Sequence, residues 1–162
     1  MRKVIGFFSG KGGSGKTTLI KTLIGLQRPT QGEVHVLGHQ QPTLKVSKEI
    51  GYMAQSDALY EDLSARGNLA YFGKLYGLRK DILKNRVNFV LAFVDLLKDA
   101  DRPVRYFSGG MKRRLSLAIS LFHQPPFLFL DEPTRALDPV ATTRVWRFVK
   151  DVIVGEARKT VV

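Results

Sequence analysis

Five apolar residues, Val4 to Phe8, run straight into Gly10-Lys11-Gly12-Gly13-Ser14-Gly15-Lys16-Thr17, a spacing of G-x-x-x-x-G-K-[ST]. Each part of that pattern has a chemical reason. Glycines let successive backbone N–H groups turn inward and cradle phosphate oxygens, and a helix opening immediately afterwards adds its positive dipole end. Lys16 is placed to reach the β- and γ-phosphates of a nucleotide, and the Thr17 hydroxyl to ligate Mg²⁺. With Thr18 included, residues 10–18 are expected to supply the phosphate affinity. A glycine-rich turn with a chance lysine is the bland alternative. A strand before it and a helix after it argue the other way.

A second segment completes such a site. Phe127-Leu128-Phe129-Leu130 is apolar on both faces and leads into Asp131-Glu132. An apolar strand ending in a carboxylate puts Asp131 at the carboxyl edge of a sheet, where it holds Mg²⁺ through water. Glu132 then stands where a general base orients an attacking water. Alone this pattern is weak, because many buried strands end in acids; beside Lys16 it becomes specific. Ser108-Gly109-Gly110 opens a helical pattern and makes a small anion nest, although the same residues also read as a simple helix cap. Lys112-Arg113-Arg114, the densest basic cluster, reads as a solvated helix face.

The elements that position these residues follow from periodicity and punctuation. Val4–Phe8 is a buried strand, and Ser14 to Gly25 a helix with Leu19, Ile20, Leu23 and Ile24 on one face. Gly32 to Gly38 alternates like a strand, and Ile50–Ala54 is another. From Leu63 to about Ala100 the chain reads as helical, with Leu83, Val87, Val90, Leu91, Val94 and Leu97 on one stripe. Ser108 caps a further helix in which Met111, Leu115, Ala118, Ile119 and Phe122 recur, ended by Pro125-Pro126. Phe127–Leu130 is a central parallel strand, and Pro139 opens a helix to about Ile153. The order is α/β, with a helical insertion.

Composition narrows the partners. The chain has 162 residues, enough for one domain with a sizeable core, and 44% of them are hydrophobic. It has no cysteine, so disulfide scaffolds, thiolate nucleophiles and Cys-based zinc sites are excluded. Its three histidines are His35, His39 and His123; the first two look like a ligand pair but lie in a strand-and-turn stretch, which favours a surface role. The net charge of +12 suits anionic ligands. It is spread along the chain with no aromatic-basic stripe, so no nucleic-acid partner is expected. No apolar run approaches the ~20 residues needed to span a bilayer. The short apolar run after Met1-Arg2-Lys3 is no signal peptide either.

The ordered motifs resemble the nucleotide-binding domain of ABC transporter ATPases. Gly51-Tyr52-Met53-Ala54-Gln55 is similar to that family's Q-loop, Phe107-Ser108-Gly109-Gly110-Met111 to its signature motif, Leu130-Asp131-Glu132-Pro133-Thr134 to the extended Walker B segment, and Ala136-Leu137-Asp138-Pro139 to the D-loop. The resemblance implies a P-loop NTPase of the ABC ATPase type, with a mainly parallel core sheet. Residues 1–60 and 124–162 would form the P-loop core, and about 61–123 an inserted helical subdomain carrying the signature. It implies that Gln55 contacts Mg²⁺ or the lytic water and faces a membrane-domain coupling helix. It further implies that Ser108, Gly109 and Gly110 close on the γ-phosphate bound by a second protomer, with Asp138 at the same interface. Met111 stands where the family's commonest signature has Gln, Phe107 where it has Leu, and Arg135 where its D-loop has a small residue.

The function expected is ATP binding and hydrolysis with Mg²⁺ at a head-to-tail dimer, homo- or heterodimeric, powering an exporter through its transmembrane domain. The chain would sit at the cytoplasmic face of the membrane with no transmembrane segment of its own. Three alternatives stay open: a nucleotide-binding regulatory module without turnover, a soluble ABC protein acting on ribosomes or DNA, and a partitioning-type ATPase. The last also fits Lys11 through Thr18, with Lys11 reaching across a dimer. In the resembling family an aromatic stacks on adenine before the P-loop strand, and a switch histidine follows the strand similar to Lys159–Val162. Neither has a counterpart here, so this stretch is expected to bind ATP and to turn it over slowly.

Overall fold

The computed structural model describes residues 4–8, 16–54, 58–125, 127–131, 142–143 and 160–161. Strand β1 (Val4–Phe8) leads to helix α1 (Lys16–Leu23). A hairpin follows, β2 (His35–Val36) and β3 (His39–Gln40), then a one-turn helix α2 (Leu44–Ser47) and strand β4 (Ile50–Met53). Helices α3 (Ala65–Leu75) and α4 (Lys80–Phe93), a 3₁₀ turn at Val104–Tyr106, and helix α5 (Gly109–Leu121) come next. Strands β5 (Phe127–Asp131) and β6 (Thr160–Val161) complete the order. The helix expected after Pro139 lies outside the described residues apart from 142 and 143, both helical.

The main sheet runs β4-β5-β1-β6, and every pair in it is parallel. Both faces must therefore be covered. Ile50, Tyr52, Phe127 and Phe129 face α1 and α2, where Ile20, Ile24 and Val46 are buried against them. Leu128 and Leu130, almost fully buried, point the other way, toward α5. There the approach is backbone on backbone: a Cβ on Gly51 would lie 2.2 Å from the Ser120 carbonyl oxygen. A larger cluster gathers Leu69, Leu83, Val87, Leu91, Leu115 and Phe122 from α3, α4 and α5.

Left-handed residues that close helices account for two corrections to the pattern reading. The expected helix from 63 to 100 is two helices and a loop, because Gly77 takes φ +77. Its N–H bonds to Lys74 and that of Leu78 to Gly73, the Schellman closure of a helix end. Helix α1 closes the same way, through Gly25 and Leu26 onto Thr22 and Lys21. Helix α4 does so with Asp95 (φ +56) in the glycine's place, and Leu96 folds back onto Leu91. That turn shifts the phase. Leu96 is buried, while Leu97, placed on the stripe by spacing, is 46% exposed. On α1, Leu19 is likewise 52% exposed, the buried line being Ile20 and Ile24.

The strand expected over Gly32 to Gly38 is only His35–Val36. It turns back at once, because Leu37 and Gly38 both adopt positive φ, the pattern of a two-residue type I′ hairpin. His35 and His39 sit on this exposed hairpin, where His35 pairs with Glu33 at 3.2 Å. Among the described residues, no group of three or more His, Asp or Glu side chains could hold a metal ion.

Candidate functional site

The carboxyl edge of the parallel sheet holds one of the sequence candidates, Asp131. Phe8 ends β1 in register with Asp131, which ends β5; Leu130 in turn pairs with Met53, which ends β4. Lys16 and Thr17 open α1, the first helix after β1, and Thr18 lies exposed in its first turn. Helix α1 is held against the sheet by Ile20 and Ile24, which sets where its amino end begins. Gly10, Lys11, Gly12, Gly13, Ser14, Gly15, Gln55, Glu132 and Asp138 lie outside the described residues.

Ser108 is the N-cap of α5 and its side chain accepts from the Met111 N–H at 3.3 Å, as its position predicts. The N–H groups of Gly109 and Gly110 belong to the first turn, where no carbonyl lies a turn back to receive them. Gly109 is exposed, its φ is not positive, and a Cβ there would meet nothing within 4 Å. Neither packing nor backbone geometry calls for glycine at that position. Glycine in a helix forfeits up to about 1 kcal/mol against alanine.

The basic run after this cap corrects the reading of a solvated face. Lys112 is bonded to Glu61 at 2.5 Å. Arg113 is 4% exposed and donates from its guanidinium to the Ala54 carbonyl at 2.6 Å. Arg114 donates to the carbonyls of Val94 and Asp95 and lies 3.5 Å from the Asp95 carboxylate. The loop these residues grip is itself built in. Asn68, fully buried, accepts from the Tyr60 N–H and donates to the carbonyls of Tyr60 and Ser64. The N–H groups of Val104 and Arg105 bond the Leu63 and Glu61 carbonyls, so the 3₁₀ turn before Ser108 is laced to the run before α3. Local spacing carried no signal for the Lys112 and Arg113 contacts, since their partners lie 51 and 59 residues away.

A parallel sheet with a helix springing from the edge of its first strand, a carboxylate ending the next, and a capped glycine pair opening a second helix define the P-loop NTPase fold of ATP-binding cassettes. The family model for ABC transporters matches residues 3–135, and the chain belongs to that family. This membership sets aside the partitioning-type alternative. The chain is 42% identical over 148 residues to the daunorubicin resistance ATP-binding protein DrrA3 of Streptomyces coeruleorubidus, covering 90% of this chain and 47% of that protein. It is 40% identical over 146 residues to human ATP-binding cassette sub-family A member 2, covering 89% of this chain and 6% of that protein. It is also 38% identical to the Nod factor export ATP-binding protein I of Sinorhizobium fredii, covering 89% and 43%. The chain thus spans less than half the length of each of these relatives. Among solved structures, a dimeric ATP-binding cassette in a post-hydrolysis state with ADP and Pi superposes with a TM-score of 0.84 at 24% identity, covering 99% of this chain and 73% of that one. Among the described residues, no helix is long and apolar enough to cross a membrane.

Proposed function

We propose that this chain is the ATP-binding engine of an exporter, hydrolysing ATP at an interface between two cassettes. The observation that carries the reading is the placement of Lys16 and Thr17 at the start of α1, beside the strand that ends in Asp131. In this reading residues 1–60 and 124–162 form the P-loop core, and about 61–123 the helical subdomain. Residues Gly10 to Thr18 wrap the phosphates, and Lys16 neutralises their β- and γ-oxygens. Thr17, Gln55 and Asp131 are the oxygen donors available for Mg²⁺, a hard cation that takes such ligands; bound there, it screens phosphate charge. Glu132 orients the attacking water and takes its proton. Ser108, Gly109 and Gly110 meet the γ-phosphate held by a second cassette, with Asp138 at the same boundary. The open backbone at Gly109 supports that role.

The export direction rests on relatives whose names describe daunorubicin resistance, Nod factor export and linearmycin resistance. A membrane-spanning partner and a position on the cytoplasmic face follow from the same reading. Calorimetric titration with Mg-ATP and a phosphate-release assay on the full-length gene product test it. Saturable binding with turnover that rises more than linearly with protein concentration is expected. Absence of binding at millimolar Mg-ATP would overturn the site, and binding without dimer-dependent turnover would turn it into a regulatory module.

A further inference from the structure

The turn between α5 and β5 ties together elements far apart in sequence, and one side chain carries the joint. The His123 ring lies flat against Tyr76 at the end of α3, and its Nε2 donates to the carbonyl of Ile50, the first residue of β4. Helix α4 closes the other side. Arg86 donates from Nε to the Phe122 carbonyl at 3.1 Å. The Gln124 amide, turned so that its oxygen meets the guanidinium, accepts from both terminal Arg86 nitrogens at 2.7 Å. The polar groups set around the imidazole are therefore the Tyr76 phenol from α3, the Ile50 carbonyl from β4, the Arg86 guanidinium from α4 and the Gln124 amide that holds it. Burial pushes the Tyr76 phenol upward, so it stays neutral in acid and at neutral pH.

Nδ1 is the unused atom of the ring. It is buried, and among the described residues nothing hydrogen-bonds to it. A proton there would make it a donor without an acceptor, and would place a positive ring next to Arg86 and away from water. Such a ring is satisfied by moving out to solvent. The same ring carries both the stack on Tyr76 and the bond to Ile50, so leaving breaks both together. Strand β4 keeps its own anchors, the parallel ladder to β5 and the close backing of Gly51 on Ser120.

We infer that His123 is an acid-operated latch: a proton on Nδ1 withdraws the ring and frees the end of α3 from the start of β4 while the parallel sheet stays folded. The lowered pKa of the ring, which burial chiefly causes, agrees with this geometry. No residue assigned to nucleotide takes part, so the latch stands apart from the ATPase reading.

Amide hydrogen exchange on the full-length gene product tests it, with wild type, His123→Phe and Arg86→Met compared at pH 7.5 and 4.5 after correction for intrinsic exchange. In wild type, the amides of Tyr76, Gly77 and Leu78 should lose protection roughly ten- to a hundredfold at pH 4.5. At both pH values they should stay less protected than the amides of β4 and β5. His123→Phe should show one protection at both pH values. Arg86→Met, which takes away the cation beside the ring, should shrink the acid step. Wild-type amides at 76–78 that keep their protection in acid would overturn the latch. So would protection equal to that of the sheet, since the chain would then open only as a whole. An undiminished acid step in His123→Phe overturns it as well. If that variant does not fold, an undiminished step in Arg86→Met does so in its place.

Discussion

Tyr76 and His123 lie ring against ring, with centroids 3.8 Å apart and planes 11° from parallel. Tyr76 caps the end of α3 and His123 follows α5, so the stack pins two helix ends together above the start of β4. The His123 ring meets the Ile50 carbonyl through Nε2 at 3.1 Å. A carbonyl only accepts, so the neutral imidazole carries its proton on Nε2 and donates it there. Burial pushes the ring's pKa down to about 4; the Ile50 hydrogen bond opposes this, and the neighbouring Arg86 guanidinium adds to it.

That stack gives a pH dependence with a definite sign. In the unfolded chain the imidazole titrates near 6.5, and in the fold near 4. Between those values the unfolded chain binds a proton that the folded chain refuses. Stability therefore falls as pH drops through this window and is insensitive to this group above it, by on the order of 3 kcal/mol in all. Urea unfolding at pH 7.5, 6 and 4.5 measures the slope. His123→Phe keeps a ring in the stack without the titration, so it should flatten the slope. A variant with the wild-type slope would place the dependence on another group.

Lys16→Ala should remove most nucleotide affinity. It deletes a charge-assisted contact to phosphate, a class worth roughly 1.5–3 kcal/mol, or about ten- to a hundredfold in Kd. Calorimetry with Mg-ATP checks this, and an unchanged Kd would unseat the phosphate-cradling assignment.

Glu132→Gln should keep ATP binding while lowering turnover by roughly 10²–10⁴-fold, because the amide cannot take the proton of an attacking water. Single-turnover phosphate release separates the two quantities. Wild-type hydrolysis in the variant would move the base elsewhere.

Gly51→Ala should destabilise the fold by about 1–3 kcal/mol, the usual range for overpacking. The added methyl would sit 2.2 Å from the Ser120 carbonyl oxygen and 2.7 Å from Pro125 Cγ. Gly109→Ala, where nothing lies within 4 Å, should leave stability at or above that of wild type. Its expected defect is in turnover. Thermal melts beside ATPase rates distinguish the two glycines, and equal melting losses would contradict the contrast.

The Ser108 cap was legible in the sequence because it is local: its side chain accepts from the Met111 N–H three residues on, a contact that spacing reveals. Leu128 and Leu130 were legible for the same reason, as a short apolar run that only a covered parallel strand explains. The helix stripe failed at Leu97 because a single left-handed residue, Asp95, resets the phase, and aspartate announces that turn far less clearly than glycine does. Lys112 and Arg113 were misread because a basic run at helical spacing looks the same whether it faces water or a carbonyl 59 residues away. Long-range partners of long side chains are set by how the helices stack, which no local pattern encodes.

Helix α5 is anchored to the sheet at its far end, where Gly51 backs onto Ser120 and His123 bonds Ile50. From there to its capped tip it spans 13 residues, about 18 Å between its first and last Cα at 1.5 Å rise per residue. It is thus a lever with a fixed heel. A tilt of about 10° around Ser120 would sweep Ser108 through roughly 3 Å, the length of one hydrogen bond. The heel would scarcely stir.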